Sequence, residues 1–91
     1  MRYVHFDLNK LRRGSRVRVE LTGTPANVLL LDSLNFSSYK RGSAYRHYGG
    51  HFKRSPATLV VPEDGHWHVI VNNGGYAGRG SAAVRVEIPL G

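Results

Sequence analysis

The chain has no cysteine, one methionine, four prolines, and only six Asp and Glu against thirteen Lys and Arg. Without cysteine there is no disulfide framework, no thiol nucleophile and no zinc site built on thiolates. The longest apolar run, Val28-Leu29-Leu30-Leu31, falls far short of the roughly 20 residues that a membrane-spanning helix needs. The opening stretch MRYVHFDLNK has no apolar core of the signal-peptide kind and carries an aspartate at position 7. Membrane insertion is therefore not expected, and the reading is of a cytoplasmic protein. Helical periodicity with caps is missing as well, with room for a single turn only over residues 8–13. Catalytic constellations are equally sparse. No paired carboxylates fall in a plausible pocket, and none of the serines at 33, 37, 38, 43, 55 and 81 sits in a nucleophile-elbow sequence. The reading leans away from an enzyme and expects no catalytic residue, cofactor or metal.

What is present is alternation. Val4, Phe6 and Leu8 alternate with His5 and Asp7, and Val17, Val19 and Leu21 with Arg16, Arg18 and Glu20. Trp67, Val69 and Val71 alternate with His66, His68 and Ile70, and Val84, Val86 and Ile88 with Arg85 and Glu87. Period two predicts strands with one buried face. The apolar runs 26–31 and 57–61 predict more fully buried central strands. Turn residues separate these segments: Gly14-Ser15, Thr24-Pro25 and Pro62-Glu63-Asp64-Gly65, where proline pre-sets φ and glycine accepts positive φ. Asn73-Gly74-Gly75 ends the Trp67 strand. Ninety-one residues form one domain, 1–91, with one modest core. The expected fold is all-β: an antiparallel β-sandwich of six to eight strands with a jelly-roll-like or Greek-key path. The expected core is Val4, Phe6, Val17, Val19, Val28, Leu30, Leu59, Val61, Trp67, Val69, Val71, Val84 and Val86. The indole N–H of Trp67 requires a partner.

Residues 32–55 break the pattern. This stretch mixes Ser, Asn, Gly, aromatic and basic residues without sustained alternation and predicts a long loop, with a short strand around 44–48. A net charge of +7 and a pI near 10.4 invite anionic partners. One basic cluster is Lys10, Arg12, Arg13, Arg16 and Arg18; the other lies in the long loop. There Phe36, Tyr39, Tyr45, Tyr48 and Phe52 interleave with Lys40, Arg41, Arg46, Lys53 and Arg54. Rings that stack bases beside cations that pair phosphate are the chemistry of nucleotide and single-stranded nucleic acid sites. The competing reading has the rings capping one end of the sandwich and the cations solvated. A glycine-rich segment, 72–81, has backbone suited to an anion-binding nest and would bring Arg79 to the same rim. It does not sit between a strand and a helix, so no P-loop or dinucleotide-binding reading holds, and a hairpin loop explains the glycines equally. The expected ligand-binding set is Tyr39, Lys40, Arg41, Tyr45, Arg46, Tyr48, Lys53, Arg54 and Arg79.

Two alternatives stand beside this one. An exposed sheet edge or aromatic patch would serve a protein partner or a second copy. His66 and His68, two apart on a strand, share a face and suit a metal. No glutamate follows over 69–76, however, so the cupin pattern fails. His5, His47 or His51 would supply a third ligand only through long-range folding. Two histidines hydrogen-bonded to neighbours on a partly exposed face account for the same spacing.

The stretches YVHFDL, ANVLLLDSLNFSSYKRG, HYGGHFKRSP, VPEDGHWHVIV and GGYAGRGSAAVRV together resemble the bacterial family known as domain of unknown function 1883. The resemblance runs from Tyr3 to Ile88 and is most specific over 35–42, 49–56 and 65–71. It implies a small β-rich bacterial protein and carries no catalytic or binding role to any residue. Relatives that join the domain to Toll/interleukin-receptor-like domains imply, by association alone, a sensor or recognition module.

Overall fold

The computed structural model describes residues 3–22, 25–72 and 81–89. Seven strands and one helix follow in the order β1 (Val4–Leu11), β2 (Arg16–Thr22), β3 (Ala26–Asp32), α1 (Ser33–Arg41), β4 (Tyr48–Phe52), β5 (Ala57–Val60), β6 (Gly65–Asn72) and β7 (Ser81–Glu87). They form a four-stranded sheet, β1-β6-β3-β4, and a three-stranded sheet, β5-β2-β7, antiparallel throughout. Every connection except β3-α1-β4 passes from one sheet to the other, which gives the sandwich its jelly-roll-like path. No helix among the described residues is long and apolar enough to cross a membrane.

The alternating positions do what period two requires. Val17, Val19 and Leu21 face Val28, Leu30, Trp67, Val69 and Val71 across one core, completed by Ala57, Leu59 and Val61. The Trp67 indole donates to the Glu63 carbonyl at 3.0 Å, so its burial leaves no orphaned donor. Ser15 is also wholly buried. Its hydroxyl donates to the Arg12 carbonyl at 2.7 Å, and its own carbonyl accepts from the Val61 N–H at 2.9 Å.

Several expectations need correction. Val4 is 45% exposed and stands outside the core, while Phe6, Val84 and Val86 are half-buried against it. The run 57–61 is not a central strand: β5 is an edge strand with Thr58 and Val60 exposed, because its outer face has no covering layer. Residues 8–13 make no helical turn but extend β1 to Leu11, with a register shift between Asp7 and Lys10 and Asn9 at φ 60°. Most of all, 32–55 is not a loop. It holds α1 and β4, and the expected strand at 44–48 lies instead at Tyr48–Phe52.

The central strands β3 and β6 are buried on both faces, which explains their near-continuous apolar reading. The second face is covered by α1: Phe36 packs on Leu29, Leu31 and Ile70 in a smaller core, with Tyr39 against its edge.

Candidate functional site

Local chemistry seats the helix that builds the site. Asp32 ends β3 in extended geometry, and its carboxylate accepts from the Asn35 backbone N–H at 2.8 Å and side-chain amide at 2.9 Å. That is an N-cap, satisfying a donor the first turn leaves free. Gly42 closes the other end in the left-handed region at φ 76°, with the Ser43 N–H returning to the Ser38 carbonyl at 2.9 Å. Lys40 and Arg41 occupy the last turn, where cations suit the helix dipole.

Between the end of α1, the segment 42–47 and the outer face of the four-stranded sheet lies an open groove of about 590 Å³. Its wall is a row of rings. Tyr39 meets Tyr3 edge-on at 5.3 Å on one side and Tyr45 at 5.1 Å on the other, and Tyr45 leans on His47 at 5.7 Å. The floor includes Leu29 and a ladder of polar side chains. His51 Nδ1 lies 3.0 Å from Asn27 Oδ1, Asn27 Nδ2 donates to Asn72 Oδ1 at 2.9 Å, and Asn72 Nδ2 donates to the Tyr39 hydroxyl at 3.3 Å. The ladder exists because Asn27 is paired in register with both His51 and Asn72. Burial pushes the Tyr39 hydroxyl pKa above that of a free phenol, against the opposing pull of the Asn72 hydrogen bond. Lys40 also lines the groove, its ammonium 4.7 Å above the Phe36 ring.

Of the expected ligand-binding residues, Tyr39, Lys40 and Tyr45 share this concavity. Arg41 and Arg46 are exposed beside it. Arg41 Nη2 donates to the Ser38 hydroxyl at 3.3 Å, and the Arg46 backbone N–H donates to Asn35 Oδ1 at 2.7 Å. Tyr48 is not brought in: it pairs with Leu30, and its ring meets Trp67 at 6.0 Å, on the core side of the sheet. Lys53 and Arg54 are exposed just beyond β4 and outside the groove lining. Arg79 lies outside the described residues. Asn27 and Tyr3 line the groove without having been singled out; His47, weighed only as a metal ligand, and Asn72, weighed only as the start of the glycine-rich segment, line it too. Asn27 left a trace, as the lone amide in a strand that is otherwise apolar up to Asp32.

Further along the same face lies a cluster of imidazoles. β1 and β6 pair Asp7 with His68, so Asp7 shares a face with His66 and His68. His66 Nε2 donates to Asp7 Oδ1 at 2.6 Å. His68 is buried, with Nδ1 2.9 Å from His5 Nε2 and Nε2 2.8 Å from the Ser33 hydroxyl. Phe36 stacks on His5 at 4.1 Å and on His68 at 4.6 Å. Desolvation lowers the pKa of both His5 and His68. The Asn9 N–H, and after it the hydrogen bond from His66, lower that of Asp7. Of the three histidines considered as a third partner, His5 reaches the pair, whereas His47 lines the groove and His51, exposed, bonds Asn27. The carboxylate missing downstream of His68 comes from β1 instead.

No curated protein and no solved structure matches the chain. A family model does, over residues 1–89, nearly the whole length. The chain that carries this helix-covered sheet, with its tyrosine-walled groove and histidine cluster, belongs to the family described as Domain of unknown function (DUF1883).

Proposed function

We propose that the protein is a non-catalytic recognition module that binds a nucleotide, free or within a single strand, in the groove beneath α1. The observation that carries this reading is the meeting of three kinds of group in one concavity: the Tyr39–Tyr45 pair, the Lys40 ammonium, and the Asn27–Asn72 amides. Its volume lies within the range of small-ligand pockets. Tyr45, 38% exposed, offers a ring face for a base to stack on. Lys40 supplies a point charge for phosphate, with Arg41 and Arg46 at the rim. The amides supply donors and acceptors for a base edge. The net charge of +7 favours the approach of an anion from a distance.

Labelled mononucleotides and short single strands, followed by anisotropy across a salt series, test the reading. Trp67 is a poor reporter because it faces the opposite side of the sheet. Tyr45→Ala should weaken binding about tenfold or more, as expected for loss of one stacking platform. Lys40→Ala should lower the salt slope by about 0.7. Binding indifferent to salt, or unchanged in both variants, would reject the proposal.

A further inference from the structure

We propose that Asp7, His66 and His68 form a binding site for a single first-row divalent cation of the zinc type, held by one carboxylate oxygen and two imidazole nitrogens. The site is separate from the groove and does not depend on the nucleotide reading. One ligand atom from each residue lies within 4.8 Å of the others. Around a cation at about 2.0–2.2 Å from each ligand atom, those atoms stand roughly 3.3 Å apart. Closing the difference needs side-chain rotation, in which the metal takes the place of the hydrogen bond between His66 and Asp7. The side chains of His66 and Asp7 are 39% and 48% exposed.

His68 is the fixed member. The Ser33 hydroxyl and the His5 ring hold its two nitrogens. A metal displaces one of these contacts, and the other keeps the ring oriented, as outer partners of ligating histidines do. Sequence distance hides the arrangement. The two histidines stand two apart on β6, but the carboxylate sits 59 residues away from His66 and arrives only because β1 pairs with β6 in this register.

Charge sets the selectivity. A net +7 and the Lys40 ammonium near the cluster repel cations at long range. Occupancy must therefore come from short-range coordination, which two imidazoles offer to zinc, cobalt, nickel or copper and not to calcium or magnesium. Three protein ligands leave at least one position open to water.

The test uses the whole chain without a histidine tag, stripped with chelator. It is titrated with Co²⁺ by visible absorption and with Zn²⁺ by calorimetry at about pH 7.5, a unit above the ordinary imidazole pKa. One equivalent of metal is expected, with the ligand-field bands of four- or five-coordinate cobalt. His66→Ala and Asp7→Asn should each weaken binding by at least about tenfold. Both sites are exposed enough to spare the fold, which thermal melting would verify. The double variant His47→Gln/His51→Gln should bind as the parent does. Three results would overturn the assignment: no uptake at millimolar metal, one-equivalent binding that survives both His66→Ala and Asp7→Asn, or binding lost in the His47/His51 variant.

Discussion

At the scale of single residues, the outer face of the four-stranded sheet is where the chain departs from apolar packing. Every polar side chain buried there has a partner, and among the described residues no buried side-chain nitrogen or oxygen is unsatisfied. Tyr39 illustrates the consequence. Its hydroxyl pKa is raised from 10.0 by burial, so the unfolded chain loses this proton first as pH climbs. Stability is full below the unfolded value and falls as pH rises through the folded one. Urea midpoints measured between about pH 9 and about pH 11 should therefore fall more steeply in the parent than in Tyr39→Phe, which cannot ionise. The lost Asn72 hydrogen bond adds only a constant offset, so a parent–variant difference that does not change with pH would count against the buried-phenol account.

At the scale of elements, α1 is the piece that makes a site out of a sheet. Only Phe36 among its nine residues is buried, and Leu34 is 75% exposed. Its serines and asparagine are weak helix formers, so it has almost no amphipathic signature and depends on docking for its stability. This is why residues 32–55 read as a loop. The caps were nevertheless written in the sequence, as Asp32 before the helix and Gly42 after it. Asp32→Ala should cost about 1 kcal/mol of stability in chemical denaturation. It should also weaken ligand binding in the groove, since α1 carries Tyr39 and Lys40. An unchanged midpoint would show that the helix is held by Phe36 alone. β4 escaped detection for a related reason: two of its five residues are glycine, so its pairing with β3 is made by backbone rather than by a side-chain pattern.

At the scale of the whole molecule, two cores of unequal weight share one sheet. The larger seals the sandwich; the smaller seats the helix. Leu30, fully buried in the first, should cost about 2–5 kcal/mol when cut to alanine, whereas Leu34→Ala on the exposed side of α1 should stay within about 0.5 kcal/mol. Equal losses in equilibrium unfolding would contradict this division. The basic residues are also divided. Arg16 and Arg18 lie on β2 in the three-stranded sheet, where Arg18 approaches Glu87 at 3.8 Å. Lys40 lies on the helix-covered side of the other sheet. These three cations thus lie on two sides of the sandwich.

Alternation of apolar and polar residues was enough, by itself, to specify an all-β sandwich and most of its core. A strand's period of two is a local property, and each strand states which face it buries. The composition of 32–55 marked where chemistry was concentrated. Tertiary structure alone decided which of those residues meet. Tyr39 and Tyr45 line the groove with the Asn27–Asn72 pair while Tyr48, half exposed, lies on the other face of the sheet against Trp67, and Asp7 joins His66 and His68 across two strands. Such meetings depend on strand order and register, which place residues dozens of positions apart within a few ångströms, and no local pattern encodes which strand lies beside which.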